Sequence, residues 1–206
     1  ASIMIDFSPG GISDWSFTRL TIEDKFEKKT KLFGARNRDI LGWIWSDTKG
    51  VPVQERFTVE GAGSATMLQK GYLRDASSFY GDLDLRNQYH LPGDANLRAF
   101  GNQNFVGVEG ILADSFEAFV HKKIGPVTAE VALFIDSGIL FGSKFEPNDQ
   151  LFDNTTLMDY GFGLRLSTSI FGQPLYLRID KPIDATIDGT SIEKMNDWVF
   201  SFQKAI

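Results

Sequence analysis

The side chains able to do chemistry are few and poorly spaced for it. Cysteine is absent, which removes disulfides, thiolate metal sites and thiolate nucleophiles together. The two histidines, His90 and His121, lie far apart with no Glu or His at ligand spacing, so no zinc site is implied. His90 sits beside Pro92 and reads as a loop residue; His121, in Val120-His121-Lys122-Lys123, reads as a solvated turn residue. Glu146-Pro147-Asn148-Asp149 with Asp153-Asn154, and Asp82-Leu83-Asp84, offer many oxygens but not the spacing of an EF-hand, and solvated loops are expected. Gly-x-Gly at 61–63 and at 161–163 lacks the strand-to-helix setting of a phosphate loop. Lys28-Lys29 and Lys122-Lys123 are expected in short turns, solvated or near lipid headgroups. The expectation is therefore a protein that is not an enzyme, without catalytic, cofactor-binding or metal-binding residues and without a cofactor.

The elements carrying these residues read as strands. Met158 to Ile170 alternates strictly, with Tyr160, Phe162, Leu164, Leu166 and Ile170 on one face and Asp159, Gly161, Gly163, Arg165, Ser167 and Ser169 on the other. After a Phe171-Gly172-Gln173-Pro174 turn, Leu175, Leu177 and Ile179 alternate with Tyr176, Arg178 and Asp180. Pro126 to Gly138 sets Val127, Ala129, Val131, Leu133 and Ile135 against Thr128, Glu130, Ala132, Phe134 and Asp136. Near the end, Trp198, Phe200 and Phe202 oppose Val199, Ser201 and Gln203. Strands in soluble sandwiches run about five or six residues, whereas strands crossing a bilayer need about 9–11, apolar side out and polar side in. Length and pattern favour the second, with Tyr160, Phe162, Leu164, Leu166, Trp198, Phe200 and Phe202 facing lipid.

Eight strands are expected, at about 2–7, 14–26, 31–45, 105–120, 126–141, 157–170, 174–184 and 196–205. The second and third alternate imperfectly because of Arg19, Glu23, Arg36, Arg38 and Asp39. Joins alternate short and long, with 27–30, 121–126 and 171–174 short, 143–156 long and 46–104 very long, as in outer-membrane barrels. Composition agrees. Of 206 residues, 18 are Phe, 4 Trp, 5 Tyr and 20 Gly, a mixture suited to strands. A charged fraction of 23% with 42% hydrophobic residues excludes a disordered tail, and a net charge of -6 argues against a nucleic-acid partner. No run of about 18 apolar residues supplies a membrane helix. Ala1 to Phe7 already reads as a strand with no basic n-region before it, so the start is expected to be a mature terminus or a cut through something longer.

Glu55-Arg56-Phe57, Gly61-Ala62-Gly63 and Leu97-Arg98-Ala99-Phe100 together resemble the sixth-loop signature of the bacterial surface antigen superfamily of outer-membrane barrels. Its members include barrel-assembly proteins and two-partner secretion pores. Ser115-Phe116-Glu117 resembles the family's Ser-x-Glu strand, Phe134-Ile135-Asp136-Ser137-Gly138 its Phe-x-Asp-x-Gly strand, and Gly161-Phe162-Gly163-Leu164-Arg165 its Gly-x-Gly-Leu-Arg strand. The chain departs from the family at Ala99, where the motif has Gly, in an insertion between Gly63 and Leu97, and in its ending on Ala205-Ile206.

The resemblance implies an all-β fold: a transmembrane antiparallel β-barrel whose eight strands correspond to the C-terminal half of sixteen, with 46–104 folding into the lumen. It implies that Arg98 meets Glu117 and Asp136 while Phe134 packs on the guanidinium and Phe100 belongs to the same structural motif. The polar faces of adjacent strands carry both carboxylates, and a planar guanidinium can satisfy two. The implied location is the bacterial outer membrane and the implied function insertion or translocation of other proteins. Partners would be outer-membrane lipid, the remaining barrel strands from this or another chain, and client proteins. An alternative makes the barrel an anchor or export module for an enzyme or partner domain outside the chain. A third is a closed eight-stranded barrel, soluble or membrane-bound, that binds a ligand.

Overall fold

The computed structural model describes residues 1–9, 16–46, 56–57, 95, 97–100, 108–141, 154–170, 173–192 and 198–204. They form a single antiparallel sheet with no helix among them. Its strands are β1 (Ser2–Ser8), β2 (Phe17–Lys29), β3 (Phe33–Ser46), β4 (Gly110–Ile124), β5 (Val127–Phe141), β6 (Thr155–Ile170), β7 (Gln173–Ile187), β8 (Thr190–Ile192) and β9 (Val199–Lys204). Neighbours in sequence are neighbours in space from β1 to β8, and β9 pairs with the first half of β7. The sheet is open: among the described residues nothing pairs the outer edge of β1 or closes β1 onto β8 or β9.

The strands are long because the alternation persists. In β4, Ile111, Ala113, Ser115, Glu117 and Phe119 are buried while Leu112, Phe116 and Val120 are exposed. In β5, Glu130, Ala132, Phe134, Asp136 and Leu140 are buried and Val131, Leu133 and Ile135 exposed. One face of the sheet is thus covered and carries the charges. The other is bare and mostly apolar, with Leu133 at 67% and Ile3 at 70% exposure. The bare face also carries a polar row: Asp24, Asp39 and Asp114 lie directly opposite one another on β2, β3 and β4.

Several boundaries differ from the sequence reading. The β4–β5 turn is Gly125-Pro126 alone, so His121, Lys122 and Lys123 lie inside β4 and not in a turn. Gly125 has φ +60° and Pro126 has its φ locked negative, the order a two-residue II′-type hairpin requires. Lys28 and Lys29 end β2, and the turn is 30–32, where the Thr30 hydroxyl donates to the Phe33 carbonyl at 2.8 Å. β2 begins at Phe17 and β4 at Gly110, later than expected. The expected last strand is found as β9, which pairs with the first half of β7, while the short β8, outside every expected strand, folds back on the end of β7 through Asp188-Gly189. Asp188 and Gly189 have φ +50° and +76°, the left-handed pair of an Asp-Gly hairpin, which carries β7 on to Ile187. Midway, Pro182 lacks a ladder N–H, and the β6–β7 register shifts between Tyr160 and Gly161.

Candidate functional site

The covered face is capped at the end where β3 stops and β4 begins. Phe57 and Val108 exchange backbone hydrogen bonds at 2.9 and 3.0 Å, closing a neck beyond the ends of β3 and β4. Phe57, Ala95, Leu97, Ala99 and Phe100 are buried with Ile40, Ile44, Ile111, Ala113, Leu140, Leu157 and Ala185 in one apolar cluster. Glycines on the sheet make this seat. A Cβ on Gly42 would lie 2.4 Å from the Phe57 ring, and one on Gly138 would lie 3.2 Å from Leu97. The Gly-x-Gly pair of β6 does something else: added Cβ atoms at Gly161 and Gly163 would meet Phe134 at 2.6 Å and Asp180 at 1.9 Å, side chains of the neighbouring strands and not of the loop.

From this cap Arg98 drops onto the sheet, 1% exposed. Its guanidinium lies over the Phe134 ring, 3.9 Å from the centroid. Its Nη2 donates to Glu117 and, at 3.3 Å, to Ser115, whose own hydroxyl donates to Asp136 Oδ1 at 2.6 Å. Its Nε is 3.5 Å from Asp136 Oδ2 and 3.5 Å from Asp180 Oδ2. The next residue, Ala99, donates its backbone N–H to Asp159 Oδ2 at 3.0 Å. Two consecutive loop residues therefore touch inward side chains of β4, β5, β6 and β7. Arg98, Glu117, Phe134 and Asp136 come together, and Phe100 is wholly buried in the adjoining apolar cluster.

Other members were not singled out from the sequence. Arg178 of β7 donates to Glu117 and its Nε lies 2.5 Å from Asp180. Arg36 of β3 donates to Glu130, its Nε is 3.4 Å from Glu117, and it stacks over Phe119 at 4.1 Å. Asp159, Arg178 and Asp180 had been placed on polar faces by alternation, but a strand pattern carries no distance between non-neighbouring strands. Arg19, Glu23, Arg36 and Arg38, which blurred the reading of β2 and β3, occupy covered-face positions, whereas Asp39 faces outward.

The contact between Arg178 and Glu117 reports the shape of the sheet. In the ladder Arg178 faces Arg165, then Glu130, then His121, so Glu117 lies three strands across and four residues along. On a flat sheet that is about 14 Å by about 13 Å, roughly 19 Å in all, more than two side chains bridge. The sheet must curl toward its covered face along this diagonal. Arg36 to Glu130 crosses two strands on a diagonal of the same sense.

What such an arrangement does chemically is hold. Taking several charges out of water is costly, and such clusters offset that cost only when nearly every oxygen has a partner, so they fix one geometry more than they add net stability. Elsewhere, Tyr160, Phe162 and Leu164 lie exposed on the bare face with Leu166 half-buried, and Trp198 is exposed with Lys181 4.9 Å from its ring. Phe200 and Phe202 pair by backbone with Ile179 and Leu177, and their side chains lie outside the described residues. So do His90, Gly61 to Gly63, Asp82-Leu83-Asp84, Glu146 to Asp149, Asp153 and most of the 46–104 loop. Comparison with protein-family models, with curated proteins and with solved structures gives no match.

Proposed function

We propose that this chain is the C-terminal half of an outer-membrane β-barrel similar to the surface antigen superfamily, serving insertion or translocation of other proteins across the bacterial outer membrane. The observation that carries the reading is the diagonal bridge from Arg178 to Glu117 across the covered face. A path about 14 Å across the strands and about 13 Å along them runs near 45° to the strands. That is the direction in which a barrel of strands tilted about 35–45° curves. Its occupied, charged concave side and bare apolar convex side match polar-in and apolar-out barrel walls.

The open edges favour completion by further strands, from the same polypeptide or another chain. Hydrocarbon does not tolerate unpaired backbone groups, and β1 and β9 would both present them. Eight strands alone enclose a lumen filled by their own side chains, with no room for the seated loop. The partners of this reading are outer-membrane lipid on the convex face, the missing strands at both edges, and client proteins.

The test is paired arginine substitutions in the full-length polypeptide. Leu164→Arg on the convex face should destabilise the membrane-folded state by about 2–4 kcal/mol, whereas Ser167→Arg on the concave face should be nearly neutral. Equal sensitivity at the two positions refutes a lipid-facing surface.

A further inference from the structure

We propose that Asp159 is the positioning residue of the loop tip, holding the Ala99 backbone so that Arg98 is delivered between its carboxylates. This deepens the reading of residues 95–100 as a loop seated in a barrel lumen. Three observations converge on it. Asp159 is completely buried, and its Oδ2 accepts the Ala99 N–H at 3.0 Å, a bond made across 60 residues of chain. It stands where the two halves of the concave face meet. Leu157 and Ala185 beside it belong to the apolar cluster, and Asp136 lies directly opposite on β5. Ala99 itself is completely buried, so without Asp159 this N–H would have no water to turn to.

Arg98 reaches Glu117, Asp136 and Asp180 on three different strands, and such a convergence needs its backbone fixed as well as its charge attracted. A carboxylate oxygen under the following N–H fixes it. The role assigned to Asp159 is therefore that of an acceptor and not of a counter-ion. That distinction separates its substitutions.

This chain has no cysteine, so Ala113→Cys, with any cysteine elsewhere in the polypeptide replaced, provides one thiol beneath the cap, beside Leu97 and Gly138. Maleimide labelling of that thiol in membranes carrying the full-length polypeptide reads how often the tip lifts. Asp159→Leu leaves the Ala99 N–H buried without an acceptor and should raise the labelling rate roughly tenfold. Asp159→Asn should label at the parent rate. Its amide oxygen accepts the same N–H, and Asp136, directly opposite on β5, carries an oxygen, Oδ2, with no hydrogen bond among the described residues. Ala99→Pro removes the donor while leaving every carboxylate in place. It should label like Asp159→Leu, and the double variant no faster than either single one.

Asp159→Asn labelling as fast as Asp159→Leu would overturn the proposal by making charge the operative property. Parent-rate labelling of both Asp159→Leu and Ala99→Pro would overturn it too, and Ala99→Pro keeps the proposal testable if Asp159→Leu does not fold. A shielded thiol in a protein that fails the Leu164 and Ser167 comparison would remove the membrane reading and leave the clamp standing. A thiol that labels freely in the parent would remove the seated loop and the clamp with it.

Discussion

Replacing Arg98 by methionine keeps most of the stem and removes the charge. The cost can be followed oxygen by oxygen. Glu117 keeps Arg178 and Arg36, and Asp180 keeps Arg178. Asp159 keeps the Ala99 N–H. Asp136 keeps the Ser115 hydroxyl on Oδ1 and the more distant charge of Arg178, and its other oxygen loses the Arg98 Nε, now 3.5 Å away. The Phe134 ring also loses a desolvated cation worth about 2 kcal/mol. Breaking a buried charge cluster by removing one partner costs about 3–5 kcal/mol, and the surviving contacts place Arg98→Met near the lower end, about 3 kcal/mol. Unfolding of the full-length polypeptide in denaturant measures it, with protease protection of the loop as a second reading. Because the damage concentrates on Asp136, adding Asp136→Asn should recover part of the loss, with a coupling of about 1 kcal/mol or more. Unchanged stability and unchanged loop protection in Arg98→Met would refute the idea that the guanidinium holds the loop down. Additive effects of the two substitutions would refute the assignment of the loss to Asp136.

Two further outcomes concern the sheet itself. Gly161→Ala puts a Cβ 2.2 Å from the Lys181 carbonyl and 2.6 Å from the Phe134 ring, so it should cost about 1–3 kcal/mol and loosen loop protection by tilting the ring under Arg98; a neutral effect on both would mean the register shift has slack. Asp39→Asn relieves a like-charged row and should stabilise by about 0.2–1 kcal/mol in the same denaturant titration, a loss of stability showing that the charge is used.

Where the sequence was easy to read, each residue's role was set by its own strand. From β4 to β6, alternation alone sorted Glu117, Phe134, Asp136, Gly161 and Gly163 onto the covered face. It blurred in β2 and β3 because the outward face there carries Asp24, Asn37 and Asp39, so both faces look polar. The end of β7 was placed early at Asp184, although Asp188-Gly189 is a strong hairpin signal, because Pro182 and the adjacent bulge break the period of two. The charge cluster was half legible. The resemblance paired Arg98 with Glu117 and Asp136. Arg36 and Asp159 stand directly opposite Glu117 and Asp136, which only the pairing register shows, while Arg178 reaches Glu117 through the curl of the sheet, and curvature along a diagonal leaves no mark in a one-dimensional pattern.

The neck at Phe57 and Val108 also sets where this chain tolerates growth. Phe57 is hydrogen-bonded to Val108, and Ala95, Leu97, Ala99 and Phe100 are buried on the sheet, so both ends of the intervening stretch are pinned independently of its length. Extra residues between two fixed ends add only loop entropy, about 0.6 kcal/mol for each doubling. A stretch inserted there could lengthen, shorten or carry a folded domain without touching a strand register. The same insertion between Arg98 and Ala99 would separate the guanidinium from the backbone N–H that Asp159 holds. The fold thus offers one permissive site and one restrictive site within a single connection, divided by the few residues that seat on the glycines.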